Sequence, residues 1–130
     1  MTDSITHFTI TNTTKGRLPR LPFSRLKEEV FGKKYALSLV FVSDARAREL
    51  NKKHRGKNEP ANVLSFPLSS KEGEICIAPG KAKTDAPIFK MPYRRFVFFL
   101  FIHALLHLKG FRHGGTMEKK EAQLLRESNV

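Results

Sequence analysis

The chain has 130 residues, 40% of them apolar and eleven of them Phe, with 24 Lys plus Arg against 12 Asp plus Glu. That length is one domain's worth, over residues 1–130, and lets a folded chain bury roughly two thirds of the surface it exposes unfolded; the apolar share excludes a disordered chain. The formal charge of +12 does not bear on the fold, but it points to an anionic partner, with nucleic acid first.

In chain order, "HFTITN" (7–12) alternates and predicts a short strand. "RLPRLPFSRLKEEVFG" predicts a helix: Pro22 suits its first turn, Phe23, Leu26 and Val30 share a face, and Gly32 suits the stop. "YALSLVFV", from Tyr35 to Val42, is a strand by alternation and β-propensity. A second helix begins at the N-cap Ser43 and closes at Gly56, with Arg46, Arg48, Lys52 and Lys53 on wet faces. "KNEP" reads as a turn. "NVLSFPL" is a strand that Pro67 places at an edge or ends, and "EGEICIA" pairs with it through the "SSKEG" loop. Residues 79–92, "PGKAKTDAPIFKMP", read as a polar connection punctuated by proline.

Pro92 then opens a long helix that Gly110 terminates. Its apolar run, Phe96 to Leu108, is well short of the roughly twenty residues of a membrane span, so it predicts a buried core helix and no membrane association. A last helix follows, with Thr116 as cap and Met117, Leu124 and Leu125 as its stripe. The order predicts an α+β domain: one mixed sheet with helices packed on it and a central buried helix. The single cysteine, Cys76, permits no internal disulfide and fits a reducing, cytoplasmic setting; it reads as a buried strand residue. The N-terminus lacks the pattern of a signal peptide.

The chemistry concentrates in "FIHALLHLKGFRH" (101–113). His103 and His107 are i and i+4, one above the other on a helix face, the spacing that offers two imidazole nitrogens to one ion. Gly110 lets the chain turn back, and His113 follows at a distance suited to a third ligand. Three neutral imidazoles suit Zn²⁺, one ion per chain, and leave a fourth position open, the mark of a catalytic site. Two histidines inside an apolar helix also need partners, which favours a site over two packed rings. His7 and His54 have no such company and read as surface residues. The same spacing occurs in metzincin proteases, but their base, the Glu after the first histidine, is Ala104 here. Metalloprotease activity is therefore the least favoured reading.

These residues also carry a resemblance. "HALLHLKGFRH" resembles the YbeY-type endoribonucleases of ribosomal RNA maturation, with their pattern H-G-x-L-H-L-x-G-Y-D-H. "LNKKHRGKNEPANVLSFP" is similar to that family's L-N-x-x-[YF]-R-G-x-x-x-P-T-D-V-L-S-F-P, and "GEICIAP" to its G-D-I-x-I stretch. The blocks keep the family's order from about Phe41 onward. The resemblance implies a zincin-like fold and zinc on His103, His107 and His113. It implies cleavage of single-stranded RNA in the cytoplasm, on small-subunit ribosomal RNA, in ribosome maturation and quality control, with the ribosome or ribosomal proteins as partners. It makes Arg55 the catalytic phosphate contact. The planar Arg fork suits phosphate oxygens, and Lys52, Lys53, Arg55 and Lys57 cluster as candidate RNA contacts.

The chain departs from the family at three telling places. Arg112 stands where the family has Asp, and Ala61-Asn62 where it has Thr-Asp. An outer carboxylate often orients a ligating imidazole, so these changes raise a second class of function, a non-catalytic RNA- or ribosome-binding protein with a degenerate metal site.

Overall fold

The computed structural model describes residues 7–130. Four strands, β1 (Phe8–Asn12), β2 (Ala36–Phe41), β3 (Val63–Ser69) and β4 (Glu72–Ile77), form one sheet in the order β1-β2-β4-β3. β1 and β4 both run parallel to β2, and β3 runs antiparallel to β4. Five helices surround it: α1 (Phe23–Phe31), α2 (Asp44–Arg55), α3 (Pro79–Asp85), α4 (Tyr93–Lys109) and α5 (Gly115–Ser128). This is the α+β arrangement with a mixed sheet that the element order predicts.

Strict alternation in β2 buries Leu37, Leu39 and Phe41. Their register partners Ile75 and Ile77 extend the same apolar surface onto β4. Against that face pack Phe23 and Leu26 of α1, the body of α4, and Met117, Leu124 and Leu125 of α5. The opposite face carries a smaller cluster, in which Ala47 of α2 meets Leu64 and Cys76. α4 is therefore central: Phe96, Val97, Phe101, Ile102, Leu105 and Leu106 are all fully buried. Each such side chain contributes about 1.5–3 kcal/mol through removal from water.

The local signals act as expected at both helices that bear on the site. Ser43 Oγ accepts a hydrogen bond from Arg46 N at 3.1 Å, and Gly56 ends α2 in the left-handed region at φ 72°. Gly110 ends α4 at φ 108°, where Gly110 N donates to His107 O and Phe111 N donates to Leu106 O. That paired closure reverses the chain directly after the second histidine. Pro67 sits on edge strand β3, where a missing N–H donor costs no ladder bond, beside a bulge at 67–69.

Two expectations are corrected. Residues 79–92 are not an irregular connection: they hold α3 and a 3-10 turn (Ala86–Phe89). Pro79 lies in the first turn of α3, and Ala82 and Ala86 are buried against the core, so packing outweighs the polar composition. Thr116 does not cap α5. The residue before the helix is Gly114, with no side-chain cap bond, and Thr116 lies exposed in the first turn. Among the described residues, no helix is long and apolar enough to cross a membrane.

Candidate functional site

α4 presents His103 and His107 on the one side of the helix that the core does not cover. Their rings lie 4.6 Å apart between centroids and their Nε2 atoms 3.1 Å apart. The reversal at Gly110 returns His113 to the pair, its ring 5.1 Å from that of His103 and 4.7 Å from that of His107. One donor atom from each of the three lies within 4.8 Å of the others. Two nitrogens each about 2.0–2.1 Å from a tetrahedral ion stand about 3.3 Å apart, so the Nε2 pair fits that chemistry with little adjustment.

Protonation states favour the same reading. His103 Nδ1 donates to Glu121 Oε2 of α5, which fixes the proton on Nδ1 and leaves Nε2 with its lone pair toward the other histidines. His107 has its pKa lowered, first by burial and then by the neighbouring His103 and His113. A backbone hydrogen bond with Phe111 and the Glu121 carboxylate pull the other way. The neutral imidazole, the ligand form, is thus the favoured state of His107.

The histidines line one wall of a cleft of about 640 Å³, together with Leu100 and Ala104 of α4 and Phe89 of the 3-10 turn. The facing wall is the end of α2, with His54 and Arg55, and β3 from Val63 to Phe66 with Asn62 before it. Arg55 therefore shares the cleft with the three histidines. Lys52, Lys53 and Lys57 are exposed around the same helix end but do not line the cleft. Asn51 braces that corner: it is buried, and its Nδ2 donates to Glu59 O at 2.8 Å.

Three features escape a reading of the sequence. Glu121 approaches from α5, eighteen residues from His103, with no motif to announce it. His54 is exposed, as expected, yet it lines the cleft with its ring 4.9 Å from that of Phe66. Asn62 Nδ2 donates at 3.0 Å to Asp85 Oδ2 of α3, and Lys81 pairs with the same carboxylate at 3.1 Å. Position 62 itself carries no carboxylate, but its amide is bonded to one. Arg112, the reversed charge, is exposed and does not line the cleft.

Comparison with known proteins places the chain. A family model described as Endoribonuclease YbeY matches residues 5–129. This chain belongs to the YbeY family. Relatives named Endoribonuclease YbeY include that of Pelotomaculum thermopropionicum, 35% identical over 81% of this chain and 76% of its own. That of Persephonella marina is 35% identical over 68% of this chain, and that of Syntrophus aciditrophicus is 36% identical over 68%. The chain spans 62% and 65% of the lengths of the last two. The solution structure of TM1509 from Thermotoga maritima matches with a TM-score of 0.62 at 27% identity, covering 93% of this chain and 88% of that one. The YbeY blocks thus lie on the two walls of one cleft, the histidine block on α4 and its following loop and the arginine block on α2 and β3.

Proposed function

We propose that this protein is a metal-dependent endoribonuclease specific for single-stranded RNA, with residues 1–130 acting as one unit. One observation carries the reading: in a chain of the YbeY family, three histidines converge in a cleft that also holds Arg55. His103, His107 and His113 would hold one Zn²⁺ ion through imidazole nitrogens. Bound there, the ion would supply Lewis acidity to a phosphate oxygen and make water a better nucleophile.

The chain's own residues do the rest. Glu121 holds the His103 proton on Nδ1, so Nε2 is free to ligate. Arg55 offers a planar fork to the phosphate and to the charge that develops on it. Asp85, anchored by Lys81, orients the Asn62 amide in the cleft wall. Lys52, Lys53 and Lys57 hold the backbone that runs out of the cleft, a contact that weakens with salt. The substrate would be small-subunit ribosomal RNA, in ribosome maturation and quality control in the cytoplasm, with the ribosome or its proteins as partners. The +12 charge favours such a polyanion.

The test is cleavage of an end-labelled single-stranded RNA beside its duplexed form. The reading expects cutting of the single strand only, loss on chelation, recovery with added zinc, and a fall of about 10²–10³ in Arg55→Ala. Products with 3′-hydroxyl ends would exclude attack by the RNA's own 2′-hydroxyl. RNA binding without cleavage above a metal-stripped control would favour the non-catalytic alternative, and chelator-sensitive digestion of casein would favour a protease.

A further inference from the structure

Phe89 lines the cleft on the same wall as the histidines and, of the two phenylalanines in the lining among the described residues, is the one that stands half in solvent, 50% exposed. It is also supported from behind. Its ring stacks on the fully buried Phe96, with centroids 4.9 Å apart and planes 29° apart, and lies 6.4 Å from Phe99. Phe99 in turn lies 6.3 Å from His103. Those two steps together keep Phe89 within a few nucleotide rises of the histidines, each rise on the order of 3.4 Å in a stacked strand.

A large apolar ring half in water forgoes burial, and here the fold holds it there. The 3-10 turn closes at Lys90 in the left-handed region, with Lys90 N donating to Pro87 O and Met91 N to Ala86 O, so the turn that carries Phe89 is hydrogen-bonded. One face of the ring is packed and the other is free, which is the geometry of a stacking platform. Single-stranded RNA is recognised largely through unstacked bases laid on such rings, and the backbone is held by basic groups. The cleft supplies the second element through Arg55 and the net charge. Neighbouring Ile88 is 73% exposed but does not line the cleft, so Phe89 alone of this apolar pair faces the site.

We propose that Phe89 is a nucleobase-stacking platform, held by Phe96, that seats one base of single-stranded RNA beside the three-histidine site. The inference rests on the endoribonuclease reading and specifies how its substrate is held. A platform of this kind tolerates any base, since every base has a π-face. It rejects duplex, whose bases are already stacked on one another.

The experiment compares two probes by fluorescence anisotropy and competition with the protein as purified: a labelled 12-nucleotide oligouridylate, checked for intactness on a gel afterwards, and inorganic polyphosphate, which has the charge but no bases. Wild type, Phe89→Ala, Phe89→Leu and Phe89→Trp are compared. Leu keeps an apolar cover over Phe96 without a π-face, and so separates stacking from folding. The proposal expects Phe89→Ala and Phe89→Leu to bind oligouridylate about five- to a hundred-fold more weakly. It expects Phe89→Trp to bind within about threefold of wild type, and polyphosphate affinity to be unchanged throughout. Oligouridylate binding at the wild-type level by Phe89→Leu would overturn the platform alone. Equal loss for both probes in Phe89→Leu would also overturn it. Failure of the wild-type protein both to bind oligouridylate and to cut RNA would overturn the endoribonuclease reading, and the platform with it.

Discussion

Replacing Glu121 with alanine should weaken metal binding and leave the fold in place. Glu121 is 7% exposed, and its Oε2 accepts the hydrogen bond that His103 Nδ1–H donates. Without it, that proton has no protein partner, the ring can flip or change tautomer, and Nε2 is no longer held as an acceptor. A charge-assisted hydrogen bond of this kind is worth about 1.5–3 kcal/mol, and a factor of ten in affinity is about 1.4 kcal/mol. The His103 side chain is 24% exposed, so water replaces part of the lost bond and the lower end applies: about a tenfold loss, the lower bound of the usual range for such carboxylates. Glu121→Gln keeps an acceptor but no charge, and should lose only about threefold. Competition with a chromophoric chelator measures the affinities, and circular dichroism checks the fold. Zinc affinity within twofold of wild type in Glu121→Ala would refute the reasoning. So would Gln losing as much as Ala, because the tautomer would then not be what matters.

Other outcomes follow from burial and charge. Leu105 is fully buried on the core side of α4, the histidine helix itself, so Leu105→Ala should cost about 2–5 kcal/mol in urea denaturation; a loss below about 1 kcal/mol would mean that α4 is not the centre of the core. Burial holds the His107 pKa below its usual 6.5. Its neutral form then supports the fold fully above about pH 6.5, and that support is lost as pH falls through the folded value. Proton NMR of metal-free protein should place its midpoint below 6.5, and a midpoint above would reverse the sign. Burial beside Glu74 pushes the Cys76 thiol up to about 12. Iodoacetamide at pH 7.5 should therefore label Cys76 only after unfolding, and rapid labelling of the native protein would contradict its placement.

Much of this site was legible because it is written in local chemistry. Helix spacing aligns His103 with His107, and a glycine at φ 108° makes the reversal that brings His113 back. Gly56 closes α2 by the same means. The α+β order was equally visible in β2, whose alternation survives intact as burial. What stayed hidden depends on contacts between distant segments. Glu121 is an ordinary helix acid until α5 docks on α4. Asp85 sits in a stretch of polar, proline-spaced sequence whose helical state follows from Ala82 and Ala86 reaching the core. His54 looked like a surface residue, which it is, but exposure does not say which surface: the end of α2 forms a wall of the cleft. The two positions where the family has Asp differ in placement. Arg112 is exposed and does not line the cleft, and Asn62 lines it while its amide donates to a carboxylate from α3.

The most direct test of the three-histidine site is elemental analysis of the protein purified without a histidine tag, beside its His113→Ala variant. The proposed zinc site predicts near one zinc per chain in the wild-type protein and a clear loss in the variant. Stoichiometric metal that persists in His113→Ala, or none in the wild type after dialysis against zinc, would contradict it.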